Sequence, residues 1–403
     1  MTTEKPNDQD GELQDGLGPR TAPSAFSAAA PKLQLAWDAT SLAAIMACPR
    51  RYEYSIIEGY QGSSVDLDFG ILVHGAMSVF SKARLAGKSR ADAQYDAVSW
   101  ALEHSGQYVI AGGDGQENGH ERFIPWGGQY LTQWRCTGTE PYKNEKGNKA
   151  LCPLSHKGKW QFDDAPSTCG VCGSPTEVAD NWVPIDKKKN RYSLIRLVVW
   201  YTEEQPEDDA SGGLSPVQLP DGTPAVELRF ALPLPFVSKG FSGYRGNERF
   251  LLAGYLDGIK THSGAKFIAD YKSTGSSLGK AFYARYAPSV QMDTYDLAGS
   301  ILYPDEELRG VLIEGMQMLV GGVRFGIGPL YHNDAQRAEW LAEIGGVLKL
   351  AEGYAEADYW PMNRASCAMC NFKGICSKDP GSRKMYLEAE FTKRVWNPLE
   401  DRE

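Results

Sequence analysis

Apolar, β-branched and aromatic residues recur at alternate positions over 251–260 and 266–272, and these two stretches together with 226–236, 311–320 and 325–331 read as five β-strands in the second half of the chain. Apolar residues recur at helical spacing over 41–57, 70–86, 89–105, 192–204, 288–299 and 334–357, with a break at Pro49 in the first. Helices that precede, separate and follow the strands predict an α/β fold, a mixed sheet flanked by helices. Between about 110 and 185 the periodicity fades into Gly, Pro, Lys and Asn, a composition that buries too little apolar surface to fold unaided. The chain therefore divides into a flexible tail at 1–35, a helical part at 36–110, an insertion at 111–185, a core at 186–345, a helix and loop at 346–380, and a closing tail at 381–403.

A chain of 403 residues has room for two or three structural units, and a hydrophobic content of 42% with 20 Tyr and 10 Trp fits a globular soluble protein. No run approaches the ~20 apolar residues of a membrane span. The first 30 residues lack the basic start and apolar centre of a secretion signal, so a cytoplasmic, reducing location and no membrane partner are expected. A net charge of −9 argues against non-specific coating of duplex DNA but leaves room for a local basic groove. Part of the acidity lies in the run from Glu203 to Asp209, which reads as a solvated loop.

The segments 251–260 and 266–272 carry the most chemistry. A reversal centred on Ser263-Gly264 puts Asp257 opposite Asp270, and Lys272, two residues on, projects from the same face as Asp270. Opposed side chains sit roughly 5 Å apart, where like charges weaken a sheet. Two carboxylates and an amine on one patch make poor structure and a good site for Mg²⁺ or Mn²⁺, with the lysine orienting water or offsetting phosphate charge. The plainer reading is a pair of strand-end aspartates beside a solvated lysine.

The eight cysteines form two sets of four. Cys136, Cys152, Cys169 and Cys172 fall in the insertion, and four thiolates around Zn²⁺ would supply the stability its composition lacks. His156 is an alternative to Cys136 or Cys152, and scattered free thiols are the alternative to a metal. Cys367, Cys370 and Cys376 share one loop, and their fourth partner would be Cys48, more than 300 residues earlier. Together they would clamp the two ends of the chain around zinc or an iron–sulfur cluster, and residue chemistry alone leaves both open.

At this point the chain resembles RecB-type nucleases of the PD-(D/E)XK superfamily, in the iron–sulfur branch that includes the AddB nuclease domain and CRISPR-associated exonucleases. Cys48, Gly70 with His74, Gly254-Tyr-Leu-Asp257, Asp270-Tyr-Lys272, Gln291 with Tyr295, and the three closing cysteines follow one another in the order of that family's motifs. The resemblance covers about 36–380 apart from the insertion, and it implies a restriction-endonuclease-like sheet. It also implies that His74, Asp257, Asp270 and the Tyr271 carbonyl serve the Mg²⁺ or Mn²⁺ ions, with Lys272 positioning the water and Gln291 and Tyr295 supporting it. Cys48, Cys367, Cys370 and Cys376 would hold a [4Fe–4S] cluster. Glu227 is a further acidic candidate.

The stretch 273–286 combines hydroxyls, glycines, cations and aromatics as a single-strand channel does, with Lys280, Tyr283 and Arg285 as candidate DNA contacts; the alternative is a solvated loop. Arg50 and Arg51 would extend that path past Cys48. The expectation is a Mg²⁺- or Mn²⁺-dependent DNA exonuclease acting on single-stranded ends in recombination, repair or phage- or CRISPR-related processing, with a helicase or recombination partner. The competing readings are a catalytically silent DNA-end-binding subunit and a redox centre built on the cysteines.

Overall fold

The computed structural model describes residues 20–21, 24–28, 32–62, 64–111, 120–139, 141–143, 146–154, 160–161, 166–205, 213–242 and 244–401. Its longer helices are α1 (Ala39–Ala47), α2 (Val65–Leu85), α3 (Arg90–His104), α4 (Arg191–Glu204), α5 (Val290–Leu302), α6 (Asp334–Glu356) and α7 (Arg383–Glu390). Its longer strands are β1 (Gly106–Ala111), β2 (His120–Pro125), β3 (Gly128–Cys136), β4 (Thr176–Pro184), β5 (Val226–Val237), β6 (Glu248–His262), β7 (Ala265–Thr274), β8 (Gly310–Met318) and β9 (Val323–Tyr331). No described helix is long and apolar enough to cross a membrane.

The central sheet runs β5–β6–β7–β8–β9 and is mixed, as the order of helices and strands along the chain predicts. Of these five strands only β7 and β8 are parallel to each other, which requires a crossover, and α5 supplies it. Every position of β8 is buried, because helices cover both faces. On one side Ile268, Val311 and Ile313 pack with residues of α1, α5 and α6. On the other, Tyr271, Met316 and Met318 pack with α2, α3 and α4. Gly75 lets α3 come close to α2: a Cβ there would lie 2.0 Å from the Trp100 ring.

Two expectations are corrected. Residues placed in the flexible tail are folded where they are described: Ala25, Leu33 and Leu35 are buried in the main core, and Arg20–Thr21 lies parallel to β6, as does Ala36–Trp37 just after the tail. Ladder bonds to β6 hold these short segments, and segments of two residues carry no period to read. The closing tail is also ordered in part, with α7 followed by Thr392–Lys393 pairing with Tyr60–Gln61. The break expected at Pro49 within 41–57 is present. The chain leaves α1 at Cys48, restarts at Pro49, and ends in a π-turn at Glu53–Ile57, where Glu58 N–H donates to the Glu53 carbonyl at 2.8 Å. Within the insertion, β3 and β4 pair over nine residues, a long-range ladder that local composition conceals.

Candidate active site

Strands β6 and β7 pair from His262↔Ala265 back to Gly258↔Ala269, and there the ladder ends. The next residues outward are Asp257 and Asp270. Two opposed carboxylates disfavour continued pairing, and the Tyr271 N–H donates to Asp257 Oδ2 at 3.3 Å in place of a main-chain partner. The parting of the two strands thus opens a buried acidic notch, with Asp257 and Asp270 respectively 5% and 0% exposed.

Each carboxylate has its own cation. Lys272 Nζ lies 2.8 Å from Asp270 Oδ1 and 2.6 Å from Oδ2. His74, on α2, has Nδ1 3.1 Å from Asp257 Oδ1 and Nε2 3.0 Å from the Tyr271 carbonyl oxygen. The α2 helix is set by the Ser64 cap, acids in its first turn and bases in its last. Gln291 and Tyr295 lie one turn apart on α5, and Gln291 Nε2 donates to Asp270 Oδ1 at 3.3 Å and to the Tyr295 hydroxyl at 3.0 Å.

These contacts push the two aspartates apart. Burial raises the Asp257 pKa, but His74, Lys272 and the Tyr271 amide outweigh it and leave the group below its ordinary value. Burial also raises Asp270, and there the opposing pull of Lys272 does not offset burial together with the Asp257 charge, so the net shift is upward. His74 is lowered by burial and raised more by Asp257, which favours the imidazolium that donates to both of its acceptors.

Asp270 Oδ2 is buried and has the Lys272 ammonium beside it as an ion pair, with no aligned hydrogen bond of its own. That oxygen, Asp257, the Tyr271 carbonyl and the His74 ring form a mainly oxygen donor set that suits Mg²⁺ or Mn²⁺ once His74 gives up its proton. Glu227 falls opposite Asp257 in the β5–β6 register, between Val226↔Gly258 and Leu228↔Leu256, and its φ of 52° marks a strained backbone position beside the notch.

Behind Tyr271 lies a buried network that sequence reading missed. Lys260 Nζ donates to Glu314 Oε1 at 2.6 Å and to the Tyr201 hydroxyl at 2.8 Å, and Tyr201 donates to Glu314 Oε2 at 2.6 Å. Lys260 also stands 4.7 Å from the Tyr271 ring centroid, so it braces the residue whose backbone touches both His74 and Asp257. A second missed group is Lys188, whose Nζ donates to the Gly275 carbonyl at 2.9 Å just beyond Lys272. The Lys187-Lys188-Lys189 run was the available signal.

Of the candidate DNA contacts, Lys280 and Arg285 are exposed. Tyr283 is different: its ring lies against Gly328 and its hydroxyl against Gly326 and Gly315, and that hydroxyl is buried without a partner. The expected stacking platform is therefore spent in part on packing the sheet, because three glycines of β8 and β9 leave a track that the ring fills.

The insertion brings Cys136, Cys152, Cys169 and Cys172 together, with all four sulfurs within 4.8 Å of one another. Sγ–Sγ distances of 3.3 Å for Cys136–Cys172 and 3.7 Å for Cys152–Cys169 are close to the ~3.8 Å of tetrahedral Zn–thiolate geometry. A hydrogen bond from Ser174 brings the Cys172 thiol down to about 6, while burial pushes Cys136 up to about 12. His156 lies outside the described residues. The other set also converges: Cys48 Sγ accepts the Asn363 N–H at 3.3 Å, and Cys367 Sγ lies 3.7 Å from the Asn363 carbonyl oxygen. Burial raises the Cys376 thiol, helped by Cys370 and Cys48 and opposed by Arg383.

A model of the PD-(D/E)XK nuclease superfamily matches residues 185–377. The matched stretch holds β5 to β9 together with Asp257, Asp270, Lys272, Gln291, Tyr295 and the closing cysteine loop; His74, Cys48 and most of the insertion lie outside it. No curated protein matches the chain. The superfamily match supports a metal-dependent nuclease, and the mixed sheet flanked by helices agrees with that fold.

Proposed function

We propose that the chain is a Mg²⁺- or Mn²⁺-dependent DNA exonuclease that works on single-stranded ends. The observation that carries this reading is the meeting of His74, Asp257, Asp270, the Tyr271 backbone and Lys272 where β6 and β7 part. A bound divalent cation would supply an activated water and offset charge on the phosphate. Asp257, Asp270, the Tyr271 carbonyl and a neutral His74 would hold it. Lys272, 20% exposed at the side chain, would turn its ammonium from Asp270 toward the attacked phosphate. Gln291 and Tyr295 act as positioning residues, since Gln291 fixes Asp270 Oδ1 against the Tyr295 hydroxyl. Lys280 and Arg285 would hold strand phosphates, and Tyr283 forms a wall beside them.

In this reading Cys48, Cys367, Cys370 and Cys376 carry a [4Fe–4S] cluster that clamps the chain ends, and the insertion carries a structural Zn²⁺. The parts are a helical region bearing Cys48 and His74, the insertion, the nuclease core and the iron–sulfur loop. A cytoplasmic role in DNA recombination, repair, or phage- or CRISPR-related processing beside a helicase follows as the setting. The test is digestion of end-labelled single- and double-stranded oligonucleotides with Mn²⁺, alongside closed circular DNA. Asp270→Asn and Lys272→Met should each lower the rate by about 10²–10³-fold or more while the fold is kept. Undiminished cleavage in both variants rejects the site, and rapid cutting of closed circles rejects the exonuclease assignment.

A further inference from the structure

A cavity of about 570 Å³ opens beside Arg50, and none of the residues gathered around Asp257 and Asp270 lines it. Its floor is the π-turn Glu53–Ile57, and its walls come from α7 and the Thr392–Lys393 strand. Lys32, Arg50, Arg383, Lys384 and Lys393 line it, against two carboxylates, Glu53 and Glu58. Five cations less two carboxylates leave three positive charges, on a chain whose net charge is −9.

The pairing within the cavity sharpens that excess. Glu53 is taken by Arg50, with Oε2 3.0 Å from Nε. Arg383 is held by main-chain carbonyls, Nε to Lys378 at 3.2 Å and Nη2 to Cys376 at 3.1 Å, which fixes its direction without neutralising it. Lys393 Nζ stands 5.2 Å from the Tyr60 ring centroid, and Arg50 Cζ 5.9 Å from that of Tyr54. Those two rings are buried, and the apolar surface the cavity offers comes from half-buried Phe26 and Ile57 and exposed Val395, so the cleft pairs positive charge with an apolar wall and matches a ligand that is anionic at one end and planar and apolar at the other.

We propose that this cavity is a subsite for a nucleoside phosphate, presented as one residue of a DNA strand or as a free mononucleotide. Only the strand source rests on the nuclease reading. Such a subsite would hold DNA at a distance from the acidic notch and lend the acidic chain a local grip on phosphate.

The experiment uses the full chain carrying Asp270→Asn, so that a bound strand is not cut. Binding of a fluorescein-labelled oligothymidylate is followed by anisotropy over a range of salt, with thymidine 5′-monophosphate as competitor. Arg383→Ala with Lys384→Ala should weaken binding about tenfold and flatten the salt dependence by one to two contacts' worth. Lys384 and Lys393 are exposed, so Lys384→Ala with Lys393→Ala gives a second pair of changes that leaves the Arg383 carbonyl contacts intact. Displacement by the mononucleotide that disappears in the variants identifies a free nucleotide as ligand. Weakened strand binding without such displacement identifies the strand alone, and both results support the subsite.

Unchanged affinity in both folded double variants overturns it. Loss of equal size toward polyglutamate overturns the nucleotide class, leaving a general anion sink. The two readings fail separately. A chain that cuts DNA while both variants bind normally loses the subsite and keeps the nuclease. A chain that never cuts, yet binds the mononucleotide through Arg383 and Lys384, does the reverse.

Discussion

Asp257 and Asp270 are the same residue type, similarly buried, yet their environments drive them in opposite directions. Asp257 receives a main-chain N–H and a histidine, and sits below the ordinary carboxylate range. Asp270, though paired with Lys272 and the Gln291 amide, is held above that range by its burial and by the Asp257 charge. A hard divalent ion that takes these carboxylates in place of the proton on His74 and of the Lys272 ion pair would stabilise the folded chain by linkage. At a Mg²⁺ concentration of 100 times Kd the gain is about 2.7 kcal/mol, while thiolates compete poorly for this ion. A thermal-melting titration with MgCl₂ should show a rise in Tm for the unaltered chain and a much smaller rise for Asp257→Asn. An equal rise in both would place the ion elsewhere.

At the scale of elements, α5 must be held at a fixed angle for Gln291 to reach Asp270, and its outer face is tied down by ions. His332, just after β9, has Nε2 2.9 Å from Asp293 Oδ1 and Nδ1 3.8 Å from Asp296 Oδ1, while Arg337 on α6 donates to Asp296 at 2.6 Å. The hydrogen bond to Asp293 raises the His332 pKa, burial lowers it, Asp296 raises it and Arg337 lowers it, with a net shift upward. A raised histidine stabilises the fold fully below its unfolded value of about 6.5 and loses that contribution as pH climbs through the higher folded value. His332→Gln should therefore cost about 1–2 kcal/mol at pH 6 and little at pH 9, measured by urea unfolding at each pH. A loss independent of pH would show that His332 acts through packing alone.

The same elements show what a linear reading reaches. Strands with period two and helices with period 3.6 declare themselves locally, and the turn at Ser263-Gly264 carries enough information to set the register that brings Asp257 and Asp270 to the end of the ladder. Pairings that depend on distant segments stay hidden. Lys260 reads as the outer end of a strand, and only the packing of α4 and β8 turns it into a buried base with Glu314 and Tyr201. Residues 33 to 37 gain their place from β6, more than 200 residues later in the sequence. The track of Gly315, Gly326 and Gly328 that seats Tyr283 is likewise spread over two strands.

Over the whole molecule, the insertion stands apart in what holds it together. The main sheet has an extensive apolar core on each face, whereas the buried cluster around the insertion's cysteines consists of Cys136, Cys152 and Cys169, bordered by Tyr142, Leu154 and Cys172. Sulfur stands there in place of an aliphatic core, so a bound zinc ion would supply most of the order; structural zinc in small modules binds with an apparent ~10–16 kcal/mol. The insertion meets the site through the segment after β4, where Lys188 reaches Gly275 and Lys189 lies 2.5 Å from Asp66 at the start of α2, the helix that carries His74. Removal of zinc with a chelator, followed by restoration of Mg²⁺ alone, should abolish hydrogen-exchange protection across 128–136 and 176–184 and leave 248–274 protected. DNA cleavage should fall in the same sample, because Lys188 and Lys189 no longer brace the loop beyond Lys272 and the helix of His74, and it should return with Zn²⁺ but not with more Mg²⁺. Retained protection in β3 and β4 after verified zinc loss would mean that strand pairing, not the metal, carries the insertion.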